Sequence, residues 1–380
     1  MKNVKKLMAL ALACLMLLAL AACGNSSTPA AEQPSSAESS APAPEAVEPS
    51  TEKISLNVGV MPFGHSVPVY YAYINGMFEE ANIDVNLLHF SGGPGMNEAA
   101  AAGEWDVGST GGMPAVTGIL AYDYKIIAYA NDDMAPNAIY ARPDSDIVAA
   151  GQGNVEAAPE MYGTAETWKG KTVLCNTGSS LQYALDACLE LLGLTENDVT
   201  VVQMDCASAL AAFQAGEGDL CCLWDPQRYA AEESGFVKVA SLDMTDEILP
   251  TCVVASADMV QNHPDYVLRF LEVYLQAQEI LANDLDLYAS TFDAWEDECG
   301  TPISAENAYE SCAMRVHPTN AQNLEYFTGE AGQTRMDQIM LGVENFLLSA
   351  GKIEQADIDY LAGKMIDASF IEQALANIAK

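Results

Sequence analysis

The feature that most constrains this chain is a supersecondary unit written twice. Residues 170–226 read as strand, small-residue loop, helix, strand, loop, short helix, strand. Thr172–Cys175 is a short β-branched and apolar run, which Asn176-Thr-Gly-Ser-Ser180 then breaks with turn formers. Apolar residues recur at helical spacing across 181–192 (Leu181, Leu185, Cys188, Leu189, Leu192), and Gly193 stands where such a helix would end. Residues 199–202 make the next strand. A second helix opens at 205–208 and ends at Gly216, and 220–223 runs into Trp224-Asp225-Pro226. The same order occurs earlier: strand 57–60, loop 62–66, a helix to Phe78, strand 84–88, loop 91–95, a helix through Ala102, strand 106–108. The closest correspondence sets Ala102-Gly-Glu-Trp-Asp106 beside Ala215-Gly-Glu-Gly-Asp219. Strands that alternate with helices imply βαβ units and parallel sheets, and a unit written twice implies two lobes. Each lobe would present loops at the carboxyl ends of its strands, where open α/β sheets bind ligands. The expected site is a cleft between the lobes.

Between the duplicated units, 126–142 reads as two strands about a polar turn, and 138–142 is the expected first crossing between lobes. The return crossing is expected at 251–256, another short apolar strand. Residues 143–169 are poor in periodicity and rich in Gly, Ala and Glu, and read as a long surface excursion. Beyond Asn262 the pattern turns helical. Pro264 suits a first helical position, and Val267, Phe270, Leu271, Tyr274, Leu275, Ala277, Gln278 and Leu281 give several turns. Further helices are expected at 304–314, 335–350 and 355–378. Packed back on the first lobe, they make it discontinuous: 54–141 plus 253–380, with 142–252 as the second lobe.

The first residues have the three parts of an export signal: Lys2, Lys5 and Lys6, an apolar core at 7–19, then small residues. They end Leu20-Ala21-Ala22-Cys23-Gly24, which resembles a bacterial lipobox. That makes 1–22 a lipoprotein signal peptide and Cys23 the lipidated first residue of the mature chain. The apolar core is too short for a spanning helix, which needs about 20 residues. Residues 23–52 are mostly Ser, Ala, Pro and Glu, a composition that cannot offset its ordering entropy by burial and reads as a disordered tether. With 53 Asp+Glu against 16 Lys+Arg, the formal charge of −37 repels nucleic acid and anionic headgroups, so neither is expected as a partner. Leaving aside Cys14 in the signal and Cys23, the cysteines are Cys175, Cys188, Cys206, Cys221, Cys222, Cys252, Cys299 and Cys312. None forms a CxxC pair or a Cys/His cluster with zinc spacing, and no metal is expected. Cys299 and Cys312 bracket a short loop and are open to a disulfide.

Two duplicated α/β lobes behind a lipobox resemble the substrate-binding proteins of ABC importers. The particular resemblance is to the family that binds nitrate, sulfonates, taurine and thiamine pyrimidines. Its carriers are FEEANIDVNLLHFSGGP at 78–94, AGEWDVGSTGGMPA at 102–115, GKTVLCNTGSSLQYALD at 170–186 and ALAAFQAGEGDLCCLWDP at 209–226. The four stand in the family's order over roughly 53–280. The resemblance implies a type II periplasmic-binding-protein fold, a two-lobed α/β clamp hinged on two crossing strands. It also implies a monomer without cofactor or catalytic residue, lipid-anchored at the outer face of the cytoplasmic membrane, with a small-molecule ligand and an ABC permease with its ATPase as partners. The chain departs from the pattern in the 143–169 excursion and in Asp225, where relatives commonly carry Glu after Trp. GxSxG, Walker, HExxH and Rossmann fingerprints are all missing. The alternative is an enzyme on the same clamp, as in thiamine-pyrimidine and menaquinone synthesis. The export signal speaks against it, because those substrates and cofactors are intracellular.

The duplicated loops define the candidate site. Phe63, His65 and Ser66 face Thr177, Gly178, Ser179 and Ser180; Ser91, Gly92 and Gly93 stand against Asp205, Cys206 and Ala207; Ser109, Thr110 and Gly111 lie opposite Trp224 and Asp225. Several of these loops lead into helices, whose first N–H groups are unpaired and carry partial positive charge. Small residues there let an anion approach the backbone. Other readings stay open: Thr177, Ser179 and Asp205 as helix caps, Trp224 as core, His65 as structural. No Lys or Arg lies in the six loops, and the nearest is Arg228, a turn beyond Asp225. A helix end contributes about 0.3–2 kcal/mol, against the roughly 8 kcal/mol of a micromolar complex. Contact with Phe63 and Trp224 must supply much of the rest. That favours an aminosulfonate, a sulfonate or a nitrogen heterocycle over bare nitrate, with Asp205 and Asp225 as acceptors for an amine or ring N–H.

Overall fold

The computed structural model describes residues 52–380 except Asp246; the expected signal peptide, Cys23 and the tether up to residue 51 lie outside the described residues. Ten strands follow the apolar runs: β1 Ile54–Val60, β2 Ile83–His89, β3 Val107–Gly111, β4 Lys125–Asp132, β5 Ala138–Ala141, β6 Thr172–Cys175, β7 Thr200–Gln203, β8 Leu220–Leu223, β9 Val237–Ser241 and β10 Pro250–Ala255. They form two five-stranded sheets with the orders β2-β1-β3-β10-β4 and β7-β6-β8-β5-β9. The two orders are one topology. In each sheet the first three strands are parallel, and an antiparallel strand from the other half of the chain sits fourth. Helices cover the faces, so the central strands are buried on both sides, as β8 and β10 are throughout.

The exchange of β5 and β10 moves the expected lobe boundaries. Ala138–Ala141 pairs with β8 and β9 and is wholly buried there, so it belongs to the second sheet and not to the first lobe. The chain crosses between Asp132 and Ala138, and recrosses between Ser241 and Pro250, ahead of the expected limit at 253. Residues 143–169 are also corrected. The short helices Asp146–Ala150 and Ala165–Trp168 set Ile147 and Trp168, and the segment between them sets Met161, in the same buried cluster as β5, β6 and β8. The 355–378 segment is two helices, Gln355–Leu361 and Ala368–Ile378, with Gly363 at positive φ between them.

The helix Ser180–Leu191 ties the lobes together. Leu181, Leu185, Cys188 and Leu189 enter the second-lobe core, while Tyr183, Ala184 and Ala187 enter the first. Tyr183 packs edge-on against Phe346, with ring centroids 4.2 Å apart, and its hydroxyl donates to Glu247 Oε2 at 2.5 Å. The eight cysteines are free, so Cys299 and Cys312 are not bridged. Among the described residues no helix is long and apolar enough to cross a membrane, and no group of side chains is arranged to hold a metal ion.

Candidate functional site

Where the carboxyl ends of the two sheets meet, a cavity of about 30 Å³ lies between the lobes. Phe63, His65, Gly93 and Gly111 line it from the first lobe, Ser179, Ser180 and Trp224 from the second. That space holds roughly two waters. A solute of several heavy atoms is larger than that space. Phe63 and Trp224 meet edge to face across the cleft at 5.1 Å between centroids. The Trp224 ring is thus a cleft wall as well as a buried residue.

His65 is buried, and its Nδ1 lies 2.8 Å from Ser109 Oγ. Ser66 Oγ accepts from the Met61 amide at 3.0 Å and lies 3.2 Å from Ser109 Oγ, so these two serines fix the loop behind the histidine. Burial, reinforced by the Arg315 guanidinium, pushes the His65 imidazole down to about 3. The ring is neutral near pH 7 and supplies no positive charge to the cleft. Thr110 is buried, and its hydroxyl has no partner.

Two of the helices that begin at the cleft are capped by glycine. Gly92 precedes Gly93–Ala100 and Gly111 precedes Gly112–Tyr122, neither with a side-chain cap. Gly93 is required by packing, since a Cβ there would lie 2.3 Å from Pro114 Cγ. Facing them, Ser179 caps Ser180–Leu191, accepting from the Leu181 amide at 3.2 Å and donating to Asn176 O at 2.7 Å.

Other expected residues lie elsewhere. Asp205 is exposed and caps Cys206–Gln214, accepting from the Ser208 amide at 3.0 Å and its hydroxyl at 2.6 Å. Ser91 is exposed. Thr177 gives its amide and hydroxyl to Gln203 Oε1, and the Gly178 amide donates to Gln182 Oε1 at 2.7 Å. Asp225 is buried, but in an ion-pair network beneath the cleft. It accepts from Arg228 Nε, from Ser311 Oγ at 2.5 Å and from Arg315 Nη1 at 3.1 Å. Arg228 also reaches Glu310 at 3.3 Å and Glu232 at 3.5 Å.

Arg315 is the residue that sequence reasoning missed. It follows the helix Ala305–Ala313, lines the cavity and holds Asp133 Oδ1 with Nε at 3.0 Å and Nη2 at 2.9 Å. Asp133, in the turn between β4 and β5, lines the cavity too. The one signal was a cation set among apolar residues, Cys312-Ala-Met-Arg315-Val, in a chain with 16 Lys+Arg. That pattern marks a buried guanidinium without saying where it points.

A model described as the NMT1-like family matches residues 49–289. The chain is 27% identical over 288 residues to a putative ABC transporter periplasmic binding protein of Brachyspira hyodysenteriae, covering 76% of this chain and 83% of the relative. It is 30% identical over 238 residues to a putative aliphatic sulfonates-binding protein of Bacillus subtilis, covering 60% and 67%. Among solved structures, the alkanesulfonate-binding protein of Xanthomonas axonopodis pv. citri bound to MOPS shares the fold with a TM-score of 0.60 at 19% identity, over 80% of this chain and 96% of that one. The family match covers more than half of the chain, and the matched pair of sheets is the architecture of those neighbours. The chain belongs to the NMT1-like family and has the two-lobed α/β fold of periplasmic binding proteins.

Proposed function

We propose that this chain is an extracytoplasmic solute-binding lipoprotein that captures a small organic solute and delivers it to an ABC permease and its ATPase. The solute class we favour is the sulfonates, aminosulfonates included. The observation that carries this reading is the meeting, at one interlobe cavity, of two helix N-termini without side-chain caps and an apolar Phe63–Trp224 wall. The helix ends suit an anionic head group, and the rings suit a carbon chain or a ring. The sulfonate-binding names of the Bacillus subtilis relative and of the Xanthomonas axonopodis neighbour support the same class. Arg315 does not turn the cleft into a simple anion trap, because Asp133 and Asp225 already share its charge. Apolar contact must therefore contribute much of the affinity. That favours an organic sulfonate over nitrate.

Calorimetric titration of the full-length chain in detergent tests the reading, with taurine, ethanesulfonate, an aminopyrimidine and nitrate as ligands. Micromolar binding of a sulfonate is expected, and tight binding of nitrate with the organic ligands silent would contradict it. Binding of the aminopyrimidine alone would move the assignment to a nitrogen heterocycle. The lipid anchor rests on Cys23 in its lipobox. Cys23→Ser should stall processing or release the protein from membranes, and unchanged processing and fractionation would remove the anchor from the account.

A further inference from the structure

Asp133 is the one carboxylate among the cavity-lining residues. It is held from one side only. Arg315 Nε and Nη2 both converge on Oδ1, at 3.0 and 2.9 Å. Oδ2 is approached by Asn137 Nδ2 alone, at 3.4 Å, beyond the usual 2.7–3.2 Å of a strong N–H···O bond. That amide already donates to the Asp133 main-chain carbonyl. A carboxylate has about four acceptor directions, so Oδ2 keeps unfilled capacity on a residue that lines the cavity. The other acid near the cleft has none to offer. Asp225 takes Arg228 and Ser311 as well as Arg315, and is fully buried.

The charges around Asp133 set what could fill that capacity. Arg315 is the one cationic side chain lining the cavity, and it is shared between Asp133 and Asp225. Arg228 is likewise shared among Asp225, Glu232 and Glu310. Two arginines therefore stand among four carboxylates, an excess of negative charge in the ion-pair network that Asp133 belongs to. His65 is neutral and adds nothing positive. A second anion is repelled there, whereas a donor nitrogen is attracted. The buried guanidinium acts as a brace: its fork fixes the plane of the carboxylate and turns Oδ2 away from itself.

We propose that Asp133 Oδ2, positioned by Arg315, is the specificity-determining acceptor of the cleft and takes a hydrogen bond from an ammonium or ring N–H of the solute. It selects solutes that carry a donor nitrogen beside the anionic group over plain alkanesulfonates. The inference rests on the sulfonate reading above and adds the second recognition point to it. Losing a hydrogen-bond partner from a buried charged acceptor discriminates strongly, because the acceptor is left unpaired when the donor is missing.

Taurine and ethanesulfonate differ by one amine, and titrating both into full-length wild type and Asp133→Asn in detergent separates the possibilities. Wild type should bind taurine more than tenfold tighter than ethanesulfonate. Asp133→Asn should collapse that ratio more than tenfold, whatever the released Arg315 charge adds to both sulfonates. Equal wild-type affinities for the two probes would overturn the proposal while leaving the sulfonate reading intact, as would a variant that keeps the ratio. If neither probe binds wild type, the sulfonate reading itself fails and the proposal falls with it. Should Asp133→Asn fail to fold, as judged by thermal melting, the wild-type ratio alone decides.

Discussion

The two lobes repeat one topology strand for strand, yet they finish their helix N-termini differently. In the first lobe Gly92 and Gly111 cap the helices that start at the cleft, and neither supplies a side-chain acceptor. In the second lobe Asp205 stands where Gly92 does and takes a hydrogen bond from its own helix, as Ser179 does after β6, while Pro226, the counterpart of Gly111, supplies no side-chain cap. The second lobe gives two of its helix starts a side-chain acceptor, and the first lobe gives Gly93–Ala100 and Gly112–Tyr122 none. A duplicated fold can thus weight its anion-seeking groups towards one side. The second lobe brings Trp224 to the cleft, and its Asp225 bonds Ser311 of the helix Ala305–Ala313 and Arg315 just beyond it.

The largest effect in this comparison is expected where the lobes join. Arg315→Met leaves Asp133 without its cation and Asp225 with Arg228 alone. Breaking a buried pair from one side typically costs about 3–5 kcal/mol, which chemical denaturation would read directly. A loss below about 1 kcal/mol would mean that the network does not hold the lobes together.

Next in size is a pH effect that the first lobe's leading loop produces and its counterpart in the second lobe cannot. His65 is buried there, whereas the matching loop, Thr177-Gly178-Ser179, has nothing to titrate. Its imidazole is lowered from 6.5 to about 3, so the unfolded chain binds the proton first. The stability it contributes is present above pH 6.5 and is lost as pH falls towards 3, by about 2 kcal/mol at pH 5. Melting curves of His65→Asn should accordingly fall less than wild type between pH 7 and pH 5, and parallel curves would reject the assignment. The smallest effect separates the caps. Asp205→Ala should lose about 1 kcal/mol of stability with solute affinity unchanged, whereas a drop in affinity would return Asp205 to the site.

Much of this was legible in the sequence, because the signals were local. β6 falls on the TVLC run, and the helix Ser180–Leu191 is followed within two residues by Gly193 at positive φ, as the apolar spacing implied. Asp205 was legible as a cap from the serine three residues on, whose amide it accepts. The residues that escaped are those whose role depends on distant partners. Arg315 meets Asp225 across 90 positions and Asp133 across 182, and no local spacing encodes such a meeting. The 143–169 segment hid its burial because its helices are five and four residues long, too short to show a period. β5 was assigned to the wrong lobe because an apolar strand does not declare which sheet it will join.

The central claim is that the solute's anionic group sits on the open helix termini of the first lobe. Glycine-selective ¹⁵N labelling reports on it directly, since Gly93, Gly95 and Gly112 lie in the first turns of those helices and Gly178 precedes the second-lobe cap. The Gly178 amide already donates to Gln182. On titration with taurine, the amide resonances of Gly93, Gly95 and Gly112 should shift downfield and saturate together, with Gly178 moving least. A spectrum in which Gly178 moves most while the three first-lobe glycines stay in place would contradict the account.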